Sequence, residues 1–260
     1  MQFKVLGPLE VVVADRAVTP QPAKIRSLLA MLCVKSGTVV SRECLIDALW
    51  AGDTPRTART ALQVYVSKLR KYLDLHGGLA GRLMTKPHGY VFELEPEQLD
   101  LREFDILSRW DGEAGTAGSP GEALDSLQAA CLLWRGPALA DLRGLPAFDK
   151  LARQLDEKRI NVLERRFDMQ LSLGQHKRII GELYGLVDEY PMWESIHAQL
   201  MISLYRSGRV AESLEAYRRI RNTLVLELGL EPGDGIRGLH QSILGRDPAL
   251  DEERKLSLAC

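Results

Sequence analysis

Long apolar runs are missing from this 260-residue chain, and no stretch approaches the roughly 18 uninterrupted apolar residues that a membrane-crossing helix needs. The first residues, MQFKVLGPLEVVV, lack a basic segment leading into an apolar one and read as strand, not as a secretion signal. Cysteine is scarce: Cys33, Cys44, Cys131 and Cys260 form no CxxC pair and no Cys/His ligand spacing, so they read as reduced, buried or terminal thiols of a cytosolic protein. The five histidines (His76, His88, His176, His197, His240) are scattered. GxxxxGK[ST], GxSxG and HExxH are all absent, which removes the usual carriers of nucleoside-triphosphate, acyl-transfer and zinc-protease chemistry. No region offers the alternating parallel strands with acidic ends that a phosphoacceptor receiver requires. The expectation is a protein with no catalytic residues, no metal and no cofactor.

What is present is enough apolar material, 45% of residues, for a sizeable core and two domains. The net charge of −1 hides an asymmetry. Residues 1–95 carry 13 Lys and Arg against 8 Asp and Glu, and the remaining 165 carry 21 against 27. A basic first part joined to an acidic second part suits a nucleic-acid binder attached to something that meets proteins.

In the first part, Gln2–Leu6 and Leu9–Val13 read as strands about the Gly7–Pro8 turn, with Ala17–Val18 a possible third. Ala23–Lys35 reads as a helix, Val39–Val40 as a bridge back to the sheet, and Arg42–Leu49 as a second helix with Ser41 as its N-cap. A third helix over Asp53–Leu73 places Ala58, Leu62, Val66, Leu69 and Leu73 on one stripe. Asp53 or Thr54 is its expected cap, and Pro55 suits its first turn. Residues 54–73 hold five basic side chains (Arg56, Arg59, Lys68, Arg70, Lys71) and no acidic one. A purely solvated face would normally mix signs for i,i+4 pairing, whereas a groove-reading helix would not. Arg82–Lys86 and Tyr90–Leu94 then alternate like strands about Pro87–His88–Gly89. Strands, two helices, a basic third helix and a hairpin follow one another as in a winged helix, whose third helix enters the major groove.

The segments ALQVYVSKLRKYL and TKPHGYVFEL, with the loop at Trp50–Asp53, resemble the OmpR-type winged helix and, more narrowly, the Streptomyces antibiotic regulatory protein family. The resemblance implies a reader of duplex promoter DNA whose recognition helix maps onto Pro55–Leu73. Carried over residue by residue, Arg56, Arg59, Thr60, Gln63, Tyr65, Ser67, Lys68, Arg70 and Lys71 are the expected DNA contacts, joined by Lys86 and His88 in the wing. The basic ends, Arg56 and Arg70–Lys71, are expected on phosphates, and Arg59, Thr60 and Gln63 on base edges, with Val64 near a thymine methyl. Trp50, Asp53 and Thr54 are the expected polymerase contacts by analogy, although Trp50 also suits a core position.

After Asp100, expected to cap a helix over Leu101–Trp110, and a Gly-rich loop at Asp111–Gly121, the chain reads as helix broken at Gly136–Pro137, Gly144–Pro146, Gly174, Pro191, Gly208 and Gly229–Pro232. Gly174 and Gly208 stand one tetratricopeptide period apart, with Ile180 and Leu183 matched by Leu214 and Tyr217. EALDSLQAACLLW at 122–134 reads as a less regular third copy of ESLEAYRRIRNTL at 212–224. LLWRGPALADL, LYRSGR and LELGLEPG resemble the bacterial transcriptional activation domain of the same family, whose longer members add a nucleotide-binding ATPase domain. The expected fold class is therefore mainly α with small β: a winged helix-turn-helix domain over 1–95 and an all-α, tetratricopeptide-like repeat domain over 96–260. The resemblance implies a cytoplasmic, nucleoid-associated homodimer that binds promoter direct repeats and RNA polymerase holoenzyme, with no membrane partner. A repeat-based adaptor and a repressor with the same DNA-binding domain are the competing readings.

Overall fold

A computed structural model describes residues 1–109 and 119–251. Trp110, residues 111–118 of the expected Gly-rich segment, and Cys260 lie outside the described residues. Two compact units form, residues 1–117 with 125–160, and 118–124 with 161–260.

The first unit opens with an antiparallel sheet of β1 (Gln2–Lys4), β2 (Glu10–Val13) and β3 (Arg16–Ala17), in that order. The Ala14–Asp15 turn between β2 and β3 has both residues at positive φ, which matches the right-handed twist of a two-residue hairpin. Helix α1 (Ala23–Val34) buries every residue from Ser27 to Cys33, so it is wrapped on all sides, by α2 (Arg42–Trp50) and α3 (Ala58–Gly77) among others. A second sheet has the order β4 (Val40–Ser41), β6 (Gly89–Phe92), β5 (Leu83–Lys86), all antiparallel. The edge of the Phe92 ring meets Phe3 of β1 at 5.4 Å between centroids. Helix α4 (Asp100–Leu107) follows a short 3₁₀ turn at Pro96–Gln98.

Four expectations are corrected. Cys44 is exposed, not buried, because α2 turns Leu45, Ile46, Ala48 and Leu49 to the core instead. Helix α3 begins at Ala58, not at Asp53–Pro55, and its N-cap position, Thr57, makes no side-chain capping bond. The backbone turns sharply at Ala51 (φ 50°) and Gly52 (φ 101°), and Pro55 disfavours helical geometry at Thr54, so residues 53–57 are spent on the crossing. Asp100 caps nothing by its side chain, since Leu99 holds the N-cap position of α4. Its carboxylate is instead buried and accepts the backbone N–H of Val5 at 2.8 and 2.9 Å and of Leu6 at 3.0 Å. Finally, helix α5 (Pro120–Leu132) takes in Pro120 and Gly121, assigned above to the loop, because Pro fits a helix's first turn.

The expected breaks near Gly136 and Gly144 fall between α5 and the 27-residue α6 (Pro146–Ser172). In this stretch Asp141 accepts the N–H of Leu9 at 2.7 Å and pairs with Arg26. The Arg135 N–H donates to Leu6 O at 2.9 Å.

The second unit contains α7 (His176–Glu189), α8 (Glu194–Arg206), α9 (Val210–Leu228) and α10 (Asp234–Gly245). The repeat is visible in the backbone. Gly174 (φ 69°) and Gly208 (φ 78°) each accept left-handed geometry just after a helix, and the next helix starts two residues later in both cases. The closing bonds match as well, with Gln175 N donating to Gln170 O and Arg209 N to Leu204 O. Ile180, Leu183 and Tyr217 are buried and Leu214 half-buried. Helix α8 packs against α7, α9 and α10 and is buried continuously from Ile196 to Leu204. Among its buried polar residues, Ser203 Oγ donates to Gln199 O at 2.7 Å and Gln199 Nε2 to Asp168 Oδ1 at 2.7 Å, while the two ring nitrogens of His197 have no hydrogen-bond partner among the described residues.

Candidate nucleic-acid interface

Helix α3 packs through Ala58, Leu62, Val66, Leu69 and Leu73, the stripe that the 3.6-residue period marks out. At 100° per residue, Thr60, Gln63, Val64, Ser67, Lys68 and Lys71 fall on the opposite side. All six are exposed. Among the described residues, no side chain of the polar ones on this stripe has a hydrogen bond or ion pair within the protein. From Thr60 to Lys71 the stripe runs about 17 Å, at about 1.5 Å per residue. Val64 is 46% exposed and sits among polar residues, which suits contact with a methyl group better than contact with water.

The flanks differ from the centre. Arg59 extends into solvent and comes within 3.6 Å of Glu43 on α2, an exposed pair of little energetic weight. Tyr65 is half-buried on the other flank, its ring 6.1 Å from that of Trp50. Trp50 is itself half-buried, with the Lys24 ammonium 5.4 Å from its ring centroid and bonded to Leu49 O, so it packs over the end of α2. Asp53, Thr54 and Arg56 are exposed in the crossing that precedes α3. Arg56 is therefore off the helix, and its position is set by the turn.

Arg70 is half-buried, with Nε donating to Leu83 O at 2.9 Å and a terminal nitrogen to Thr85 Oγ1 at 2.9 Å, both on β5. β5 and β6 form the wing, closed by the two residues Pro87 and His88, since Lys86 pairs with Gly89. His88 is exposed at the tip and Lys86 half-buried beside it.

Three residues that organise this hairpin escaped the sequence reading. Arg42, seen there only as the start of a helix, donates to Pro87 O at 2.6 Å and to Lys86 O at 3.3 Å. Thr85 receives Arg70. Gly89 had been taken as a turn residue, but its role is close approach, since a Cβ there would lie 1.9 Å from Val40 O. The sequence signal for Gly89 was its place between the turn and the alternating strand. No local pattern marks Arg42 or Thr85.

Residues 18–92 match the family of the C-terminal domain of transcriptional regulatory proteins, and residues 99–244, over half the chain, match the bacterial transcriptional activator domain. The regulatory protein DnrI of Streptomyces peucetius is 35% identical over 257 residues, covering 96% of this chain and 94% of DnrI. The chain belongs to the Streptomyces antibiotic regulatory protein family. It is a DNA-binding transcriptional activator, mainly helical, with a winged helix followed by the helical activator domain. The regulatory protein AfsR of Streptomyces coelicolor is 38% identical over 97% of this chain, which spans only 25% of AfsR. A solved structure of Mycobacterium tuberculosis EmbR in complex with a low-affinity phosphopeptide superimposes with a TM-score of 0.88 at 32% identity, over 96% of this chain and 68% of that one.

Proposed function

We propose that this activator reads promoter direct repeats through α3 and the wing, at least on DNA as a homodimer, and recruits RNA polymerase holoenzyme to a secondary-metabolite (antibiotic) gene cluster. The observation that supports the reading most strongly is the exposed, internally unpaired stripe Thr60–Lys71 beside an exposed hairpin tip. Thr60 and Gln63, with Arg59, contact base edges. Ser67, Lys68, Lys71 and Arg56 hold phosphates, which fix register without reading sequence. Arg70 stands at the junction of helix and wing, Tyr65 at the edge of the contact, and Lys86 and His88 reach the neighbouring backbone or minor groove. The crossing beside Trp50, Asp53 and Thr54 faces polymerase. Residues 1–95 carry DNA reading and 96–260 the protein contacts. The protein works in the cytoplasm on the nucleoid and has no enzymatic activity or cofactor of its own.

The test is a hydroxyl-radical footprint on the intergenic DNA beside the protein's own gene, followed by transcription in vitro with holoenzyme on that template. Two protected segments of like orientation and a rise in transcript are expected. One isolated protected segment would end the direct-repeat dimer. A fall in transcript would make the protein a repressor at that promoter, and no protection anywhere would favour the adaptor reading.

A further inference from the structure

The wing is a two-stranded ribbon, and such ribbons hold their own orientation poorly without outside packing. β4 supports it over only two residue pairs, Val40 with Tyr90 and Ser41 with Gly89. The far end of the ribbon is anchored by the buried Leu83, Val91 and Phe92 and by the Gly37 N–H and Ser36 hydroxyl, which donate to Phe92 O. Toward the tip, two guanidinium groups supply the remaining support. From α3, Arg70 bonds to Leu83 O and Thr85 Oγ1, alternate residues on one side of β5. From the first position of α2, Arg42 bonds to the carbonyls of Lys86 and Pro87, and its own N–H donates to His88 O at 3.2 Å. Its guanidinium also lies 5.9 Å from the Tyr90 ring centroid. One arginine thus fixes the base of the hairpin to the recognition helix, and the other fixes its tip.

We propose that Arg70 and Arg42 are positioning residues for DNA reading: they set the pitch of the wing against α3, and so decide where Lys86 and His88 meet the duplex. The inference rests on the reading that the wing touches DNA. It replaces the phosphate-clamp role that sequence position alone gives Arg70. A guanidinium forks to two acceptors in a fixed plane, whereas an ammonium is a point charge on a flexible stem. Charge is therefore not what the site uses, and a lysine at position 70 keeps the charge while losing the two-point brace. A true phosphate clamp would behave in the opposite way, because each neutralised phosphate releases counterions and sets the salt dependence of binding.

The experiment measures binding of the full chain to a duplex carrying the footprinted site, across a salt series, for Arg70→Lys, Arg70→Gln, Thr85→Val and Lys86→Ala/His88→Ala. Arg70→Lys and Arg70→Gln are expected to weaken binding alike, roughly tenfold, the scale of one lost specific contact, with the slope of log affinity against log salt unchanged. Thr85→Val weakens binding in the same direction, and adding Arg70→Gln to Lys86→Ala/His88→Ala changes affinity less than twofold. Melting temperatures are measured in parallel; the salt slope separates bracing from a phosphate clamp, and the non-additivity with the wing variant is the readout that mere loss of stability does not reproduce. Parental affinity for Arg70→Lys, with a slope lowered by about 0.9 for Arg70→Gln, would make Arg70 a phosphate clamp and overturn the proposal. If Lys86→Ala/His88→Ala binds like the parent, the wing does not touch DNA and the underlying reading fails. If that double variant binds weakly and Arg70→Gln still adds its full tenfold, the positioning role alone fails.

Discussion

Replacing Gly89 by alanine tests how the wing is held. The new Cβ would lie 1.9 Å from Val40 O, 2.7 Å from Val40 C and 3.0 Å from Ser41 Cα, all backbone atoms that cannot rotate away. Relief requires β4 and β6 to separate by more than about 1 Å, since carbon and oxygen pack no closer than roughly 3.2 Å. That separation breaks a pairing of only two residues and the Arg42 N–H bond to His88 O. It also pulls on Ser41, whose hydroxyl accepts the Cys44 N–H at 3.0 Å and caps α2. Overpacking costs about 1–3 kcal/mol and each lost ladder bond about 1 kcal/mol, so the total is about 3–5 kcal/mol. For a chain of this size that lowers the melting temperature by roughly 10 °C, at about 2–4 °C per kcal/mol. Calorimetry gives the stability, and anisotropy on the footprinted duplex gives the affinity, which is expected to fall at temperatures where the variant is still folded. Gly81→Ala is the control, because a Cβ there meets nothing within 4 Å. Gly89→Ala melting within 2 °C of the parent and binding DNA equally well would refute the close-approach argument.

His197 is fully buried in α8 and neither ring nitrogen has a partner of hydrogen-bonding geometry, so burial, helped by the Arg219 charge, lowers its pKa to about 4. The stability it contributes is complete above about pH 6.5 and is lost as pH falls toward 4, up to about 3 kcal/mol; urea titrations of His197→Leu should show that much less dependence between these limits, and equal slopes would reject the account. Asp100→Ala leaves the N–H groups of Val5 and Leu6 buried without their acceptor and should cost about 2–4 kcal/mol at pH 7 by chemical denaturation. Burial raises the Asp100 pKa despite those bonds, so its own pH-linked contribution is complete below about 3.8 and declines as pH rises through the raised value, opposite in sign to that of His197. Lys71→Ala should reduce the salt slope of DNA binding by about 0.9 and weaken all sequences alike, while Gln63→Ala should leave the slope intact and relax preference at one base position by about 1–3 kcal/mol; binding-site selection from random duplexes separates the two.

The elements of the winged helix were legible because each rests on a local rule. The apolar stripe of α3 follows from helical period, the Ser41 cap from its hydroxyl before an apolar run, and the hairpin from Pro87–His88–Gly89 between alternating segments. The start of α3 was misread for a physical reason. Pro55 and Thr54 look like an N-terminus in isolation, but the left-handed turn at Ala51–Gly52 delays the helix to Ala58. The bracing of the wing was illegible because Arg42 and Arg70 act over 13 to 45 residues of sequence, and all but one of their acceptors, the Thr85 hydroxyl, are main-chain carbonyls that carry no residue identity. A basic side chain on a DNA-facing helix looks the same in sequence whether it points at phosphate or at its own backbone.

The same limit explains why packing divides the chain elsewhere than the motifs do. The family matches stop at 92 and resume at 99, yet the first compact unit continues through 125–160. The leading strands account for this. Beyond β1, the backbone at Val5, Leu6 and Leu9 leaves its own sheet and finds partners at Asp100, Arg135 and Asp141, while Leu139 N donates to Val5 O. Val5, Leu6 and Leu9 are buried, so unmet polar groups there would each cost about 1–3 kcal/mol. Phe104 on α4 and Trp134 after α5 meet edge to face at 5.6 Å, joining the added segments to each other as well. A polypeptide cut after residue 95 keeps α3 and the wing but strips the acceptors from the leading strands. The winged helix of this activator is thus completed by residues that its sequence motif does not contain, and the strands that precede it are the means of attachment.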